Sequence, residues 1–133
     1  MASWGAGLIE DDLATDFANQ IVDGGAVTLR GALSRALQAS GHLLYEPSVC
    51  ALIAAETVAA LAGRPAKAMP DALAAWTAGH RRESSLGELR SLATAAVERV
   101  REDSEIAELW ARSETFTRWI GQVDDLLARL AAP

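Results

Sequence analysis

An almost wholly apolar stretch in the middle of the chain constrains the fold more than any other feature. Residues 49–62 contain only two polar side chains, Glu56 and Thr57. A helix that is apolar all round is stable in water only when other elements cover every side of it. The stretch is too short to span a bilayer, and it contains a charge. We therefore predict a central, buried helix that runs from Pro47, a residue suited to a first helical turn, to about Ala62.

The remaining segments carry the apolar stripes of surface helices. Apolar residues recur at spacings of three and four, and no run of four or more residues alternates polar and apolar as a strand would. Helix starts are predicted near Asp11, Thr28, Pro70, Ser85, Ser104 and residues 113–115. A length of 133 residues is typical of one domain. The sequence thus predicts an all-α fold: a compact single domain over residues 1–133, built as a bundle of six to seven helices with a non-helical N-terminal segment.

Side-chain caps are predicted at two of these helix starts. Thr28 is a candidate N-cap, because a hydroxyl oxygen can accept one of the free N–H groups of a first turn. Ser85 with Glu88 three residues later matches a capping box, in which the two residues satisfy two such groups reciprocally. Both patterns predict where the second and the fifth helix begin.

The net negative charge of the chain indicates which class of molecule could bind to it. The net charge is −6, and residues 1–63 hold seven acids against two bases. Nucleic-acid binding normally needs a basic face, so we expect no nucleic-acid partner. An acidic surface favours association with a basic protein instead.

The number of cysteines and the first residues of the chain indicate a cellular location. Cys50 is the single cysteine, so no internal disulfide can form, which is typical of a reducing environment. The first twelve residues contain no basic stretch followed by a long apolar one, which a secretory signal would need. We therefore expect a cytoplasmic protein that does not enter a membrane.

Few residues could carry catalysis. His42 and His80 lie far apart without a metal-binding spacing, and each is predicted to be structural. Cys50 lies in the apolar stretch with no neighbouring base, which predicts an inert core thiol rather than a reactive one. No phosphate-binding motif and no nucleophile motif is present. We therefore predict no catalytic residue, no cofactor and no metal ligand, which favours a protein that is not an enzyme.

Two acidic features have more than one interpretation. One is a group of four carboxylates near the first helix start, Glu10, Asp11, Asp12 and Asp16. Such a group could hold Mg²⁺ or Ca²⁺, or it could stabilise the helix dipole. The other is Glu56, because a carboxylate inside an apolar helix either marks a functional site or needs a partner. That partner could be an arginine or the N-terminal backbone, or Glu56 could point outward through a gap.

Tryptophan dominates the aromatic residues. Trp110 and Trp119 lie on apolar stripes and are predicted to be core residues. Trp4 stands beside a glycine in the N-terminal segment. There it either plugs the bundle or is presented to a partner, since tryptophan is also common in binding hot spots.

Three blocks of sequence resemble one bacterial family. Residues 4–17 read WGAGLIEDDLATDF, residues 54–60 read AAETVAA, and residues 104–110 read SEIAELW. Together they resemble the family catalogued as domain of unknown function 4259, in whose opening asparagine is usual where Asp11 stands here. The resemblance implies a small bacterial protein, and the family has no settled activity to transfer.

The resemblance singles out a set of positions in this chain. They are Trp4, Gly5, Gly7, Glu10, Asp12, Asp16, Phe17, Glu56, Glu108 and Trp110. One hypothesis joins several of them: the N-terminal segment folds back on the bundle, and Glu56 accepts hydrogen bonds from its backbone or from the Trp4 indole. The candidate cluster, functional or architectural, is therefore Trp4, Gly5, Gly7, Glu10, Asp11, Asp12, Asp16 and Glu56.

The sequence favours one function over two alternatives. The favoured function is a non-enzymatic protein-binding module that neutralises a basic partner, as immunity proteins and antitoxins do. The first alternative is a divalent-metal-dependent enzyme or sensor that uses the N-terminal acidic group. The second is a self-assembling structural module, for instance a homodimer formed through the apolar third helix.

Overall fold

The computed structural model describes residues 12–66, 69–81, 83–114 and 116–132, and of Asp12 the backbone alone. These residues form seven helices: α1 (Asp12–Gly24), α2 (Ala26–Gln38), α3 (Tyr45–Leu61), α4 (Asp71–Gly79), α5 (Leu86–Glu102), α6 (Glu105–Ala111) and α7 (Phe116–Ala131). Within the same residues no strand forms, and an isolated bridge joins Leu43 to Ser104. The predicted all-α bundle is confirmed, while the predicted non-helical segment precedes α1 and lies outside the described residues.

Helix α3 lies at the centre of the bundle, as predicted. Every residue from Ser48 to Leu61 is buried, and α3 contacts each of the other described helices. The hydroxyl groups of Ser48 and Thr57 donate to carbonyls one turn earlier, at 2.7 Å and 2.8 Å, so neither is left without a partner in the core. Since its own chain covers α3 on all sides, the apolar stretch that suggested self-assembly is used within the fold.

The neighbouring helices turn one apolar face towards α3. Helix α5 is its most extensive contact, and its buried residues include the small side chains Ala93 and Ala96. Alanine on both α3 and α5 lets two backbones approach closely while their surfaces interdigitate. Helix α7 packs with Val123 and Leu126 inward, and its acids Asp124 and Asp125 lie on the exposed side, as the periodicity predicts.

Both predicted side-chain caps are wrong. Helix α2 begins at Ala26, because Gly25 adopts a positive φ of 67° that ends α1 and starts α2 within one residue. Thr28 therefore lies inside the first turn. Ser85 does precede α5, but its hydroxyl donates to Glu83 at 2.8 Å and caps no helix N–H. The other half of the predicted box, Glu88, pairs with Arg30.

The predicted start at Ser104 is confirmed and carries a true cap. Ser104 has an extended backbone, and its Oγ accepts the N–H of Ala107 at 3.1 Å. The same hydroxyl donates to the carbonyl of Val100 at 2.6 Å, so it joins the end of α5 to the start of α6. Ser104 is buried, its bond to Val100 is buried as well, and its bond from Ala107 is partly buried.

Trp119 is the largest fully buried side chain in the described residues, which confirms its predicted core position. Its ring stacks between those of Trp110 and Phe116, with centroids 6.5 Å and 6.3 Å away. Trp110 itself is half-buried and lies at the edge of the core. The three rings join α6 to α7 through apolar area and offset stacking.

A buried ion pair crosses the core from α3 to α7. Glu56 is 2 % exposed, and its Oε1 and Oε2 accept hydrogen bonds from Arg129 Nη1 and Nη2 at 2.8 Å and 3.1 Å. Arg129 Nε also donates to Asp125 at 2.8 Å, and its Nη1 to the carbonyl of Arg64 at 3.1 Å. One guanidinium thus connects α3, α7 and the segment that follows α3.

Burial and pairing act on Glu56 in opposite directions. Burial raises the pKa of Glu56 above its ordinary value, and the bonds and charge of Arg129 lower it part of the way back. A carboxyl group with a raised pKa binds its proton more tightly in the folded chain than in the unfolded one. The ionised group therefore costs stability as pH rises through that pKa, and Arg129 limits the cost.

Among the described helices, none combines the length and the apolar character that a membrane crossing needs.

Arg129→Met is expected to lower the free energy of unfolding by about 3 kcal/mol near neutral pH, because it leaves the charge of Glu56 buried without a partner. The loss shrinks in acid, where Glu56 takes up a proton and its charge disappears. Urea denaturation at a series of pH values measures both effects.

Two further variants serve as controls for Arg129→Met. Asp125→Asn removes the exposed partner of the same guanidinium and should cost less than about 1 kcal/mol. Glu56→Leu combined with Arg129→Met removes both charges and should recover most of the loss. If Arg129→Met alone is as stable as the wild type at neutral pH, Glu56 does not depend on Arg129.

Ser104→Ala is expected to destabilise the protein by about 1–2 kcal/mol, because the N–H of Ala107 loses its acceptor at a partly buried site. Thermal unfolding followed by circular dichroism measures the loss. Ser91→Ala, at an exposed site on α5, is the matched control and should change stability by less than about 0.5 kcal/mol. Equal losses in the two variants would contradict the capping role of Ser104.

Candidate protein-binding surface

The described residues only partly test the predicted cluster. Trp4, Gly5, Gly7, Glu10 and Asp11 lie outside them, as does the side chain of Asp12. Asp16 is exposed on α1, whereas Glu56 is buried against Arg129. Arg129 is the arginine that one interpretation of Glu56 required. The proposed contact between Glu56 and Trp4 stays a prediction.

The metal interpretation gains no site in the described part of the chain. No three side chains among its histidines, cysteines, aspartates and glutamates are placed to hold a metal ion. Cys50 is buried, as predicted. Three of the four N-terminal carboxylates have no described side chain, so the prediction for that group stays open.

A different part of the structure gathers charged and apolar groups at the surface. The segment between α2 and α3 lies against the junction of α5 and α6. Leu43 N–H donates to the carbonyl of Asp103 at 3.2 Å, and Glu105 N–H donates to the carbonyl of Leu43 at 2.7 Å. The side chain of Leu43 is buried, and Tyr45 N–H donates to Glu105 Oε1 at 2.7 Å. We call residues 42–45 and 102–109 together the corner surface.

His42 bridges two carboxylates across this corner. Its Nδ1 lies 2.7 Å from Asp103 Oδ1, and its Nε2 lies 2.8 Å from Glu108 Oε1. The hydrogen bond with Asp103 raises the pKa of His42, desolvation opposes this effect, and the hydrogen bond with Glu108 raises the pKa further. We call these three side chains the His42 bridge. Histidine is thus structural here, as predicted, but its partners are both distant in sequence.

The corner surface is acidic. Residues 102–109 contain four carboxylates and no basic residue. The preceding base, Arg101, is held by Asp124 of α7 at 2.8 Å. Glu102, Asp103 and Glu108 are all exposed, so their charges face solvent. A surface of this kind carries a negative potential that a basic partner would complement.

Two exposed leucines flank the acidic residues. Only three large apolar side chains are exposed in the described residues, and two of them, Leu44 (62 %) and Leu109 (52 %), belong to the corner surface. Leu44 precedes Tyr45, which is bonded to Glu105, and Leu109 lies one turn after Glu105 on the same face of α6. Single exposed leucines are common, but two beside a set of exposed carboxylates resemble the mixture found in binding surfaces.

A groove runs beside the His42 bridge. It has a volume of about 360 Å³, with Ala107, Ala111 and Phe116 among its apolar walls and carboxylates of the corner surface at its rim. Two other hollows do not border the corner surface. One of about 540 Å³ is an open loop surface around His80 and Glu83, and one of about 250 Å³ lies between α1, α2 and α3.

Sequence reasoning missed this surface because its parts are far apart in the chain. His42 lies 61 residues from Asp103 and 66 from Glu108. One signal was available, the run of four carboxylates without a base in residues 102–109. That run overlaps the block of residues 104–110, which carries part of the family resemblance.

The comparisons with known proteins give a family and no activity. No curated protein and no solved structure matches the chain. A family model, described as a domain of unknown function (DUF4259), matches residues 2–122. The match spans most of the chain, including α1 to α6 and the corner surface. The chain therefore belongs to the DUF4259 family.

Proposed function

We propose that this protein is a non-enzymatic protein-binding module that neutralises a basic partner, and that it binds this partner through the corner surface. The observation that carries the proposal is the pair Leu44 and Leu109, exposed on either side of Glu105 in the acidic corner. We further propose a bacterial, cytoplasmic setting, which the family resemblance and the single cysteine support.

The leucines would supply the affinity. Burial of apolar side chains at the centre of an interface accounts for much of the binding free energy, and a few residues dominate it. Most of the neighbours of Leu109 help to hold the corner together. Ser104 caps α6, Glu105 accepts from Tyr45 N–H, and Glu108 contacts His42. The side chain of Ile106 is buried. Leu109 has no such role. Its exposure is therefore better explained by a partner than by the fold.

The carboxylates would supply speed and selectivity. Negative charges around a binding site attract a basic partner from solution and repel acidic competitors. Here four carboxylates lie on a short segment with no base, whereas Glu88 is paired with Arg30 and Asp124 with Arg101. Two of the four, Asp103 and Glu108, share His42 as their partner.

The rigidity of the corner supports the same function. Two backbone hydrogen bonds and the His42 bridge hold the segment before α3 against the α5–α6 junction, and the Ser104 cap joins α5 to α6. A surface that is already ordered loses little conformational entropy when a partner binds. This arrangement suits a neutralising protein, which must bind tightly without rearrangement.

Exchange of both leucines tests the proposal. Immobilised wild-type protein is expected to retain a basic protein from a lysate of its source bacterium. Leu44→Ser with Leu109→Ser is expected to weaken that complex at least about tenfold, which corresponds to about 1.4 kcal/mol. Surface plasmon resonance with the purified partner measures the change.

Val27→Ser is the matched control, because Val27 is the third large apolar side chain exposed among the described residues and lies in the first turn of α2, outside the corner surface. It should bind the partner as the wild type does. Equal affinity in the control and the double-leucine variant would refute the corner surface as the binding site. A partner that is acidic rather than basic would refute the proposed charge complementarity.

Glu102→Lys is expected to slow association with that partner about threefold to tenfold and to change dissociation little, because rim charges act mainly on encounter. The difference should fade as salt rises from about 50 mM to about 500 mM, since ions screen exposed charges. Asp23→Lys, an equal charge reversal at the exposed end of α1, is the control. If both reversals slow association alike, net charge rather than the corner surface attracts the partner.

A further inference from the structure

We propose that the proton on His42 regulates the corner surface, because an imidazolium at this position and a basic partner compete for the same two carboxylates. Partner binding then weakens as His42 gains its proton and strengthens as it loses it. This inference rests on the proposed function and adds a pH dependence to it.

The geometry of the His42 bridge depends on whether the imidazole is protonated. A protonated imidazole has two N–H donors, whereas a neutral one has one donor and one lone pair. Both ring nitrogens of His42 face carboxylate oxygens, at 2.7 Å and 2.8 Å. Only the protonated ring can donate to Asp103 and Glu108 at once. After loss of the proton, one carboxylate faces a ring lone pair and is repelled from its present position.

The released carboxylate can reach a partner. The side chains of Asp103 and Glu108 are each about 60 % exposed, and that of His42 is 40 % exposed. None of the three is locked in the core, so either carboxylate can turn towards solvent without opening the fold. Deprotonation therefore both removes a positive charge from the corner surface and frees an acceptor for a lysine or arginine.

The other charges around His42 come from α5 and α6. Glu102 and Arg101 line the same groove as the His42 bridge. Arg101 is held by Asp124, and Arg99 donates to the carbonyl of Gly41, next to His42.

The charged groups near His42 have different hydrogen-bond partners. The two arginines each have another partner, and Glu105 accepts from Tyr45 N–H. From α3, Glu46 is exposed in the first turn and lines the hollow between α1, α2 and α3. The hydrogen bonds and charges of Asp103 and Glu108 keep the pKa of His42 above its ordinary value.

The sign of the effect follows from linkage. A basic partner brings positive charge to the two carboxylates, which lowers the pKa of His42 and expels its proton. Linkage is reciprocal, so protons must weaken the partner by the same factor. The bridge itself behaves oppositely: with its pKa raised in the folded state, it stabilises the fold at low pH, and that stability is lost as pH rises through the raised pKa.

The first measurement uses the free full-length protein and needs no partner. In an NMR titration, the His42 ring is expected to change protonation above the ordinary histidine value of about 6.5. The amide signals of Leu43 and Glu105 should shift with the same midpoint, because their backbone bonds lie beside the bridge. His42→Gln should abolish these shifts. His80→Gln, which removes a histidine bonded to Trp76 on α4, should preserve them.

The second measurement uses a defined probe, an acetylated and amidated hexapeptide of alternating arginine and leucine. Its dissociation constant from the wild type is expected to fall about threefold or more between about pH 6 and about pH 8.5, because the imidazole loses its charge as pH rises through its raised pKa. With His42→Gln the constant should vary less than about 1.5-fold, and with His80→Gln it should vary as in the wild type.

The outcomes separate the two proposals. If His42 titrates without affecting the corner amides, or if wild type and His42→Gln show the same pH dependence for the peptide, the regulation by His42 is refuted and the binding surface is not. If the peptide binds none of the three proteins at either pH, the acidic binding surface itself is refuted, together with its regulation.

Discussion

The structure depends on covering one helix on every side. Helix α3 buries every residue from Ser48 to Leu61, and each of the other described helices contacts it. A helix with no polar face cannot stay at the surface, so the surrounding helices must each supply an apolar face to it.

The same central position explains why Glu56 needs Arg129. A carboxylate in the middle of such a helix cannot reach water, and an unpaired charge there would be expensive. Arg129 reaches it from α7 and also bonds to Asp125 and to the carbonyl of Arg64. The ion pair therefore joins the end of the chain to its centre. This role is architectural, and it leaves the corner surface as the better candidate for binding.

At the corner surface, the contacts that hold the fold lie next to the groups that we propose to bind a partner. Ser104 and Leu43 fix the backbone, while Leu44 and Leu109 point apolar area at solvent between them. His42 belongs to both sets, since its two carboxylate partners are structural contacts and exposed charges at the same time. A single proton can therefore alter both local order and surface charge.

The sequence by itself determined the helical class, the central position of α3, the start of α6 at Ser104 and the buried place of Trp119, because periodicity and local hydrogen bonding act over a few residues. It did not show that Gly25 starts α2 ahead of Thr28 or that the Ser85 hydroxyl bonds to Glu83, and so the caps at Thr28 and Ser85 were predicted wrongly. Only the tertiary structure decided that Arg129 is the partner of Glu56 and that His42 meets Asp103 and Glu108. Those pairs lie 61 to 73 residues apart, and no local pattern records which side chains the packing of helices will bring together.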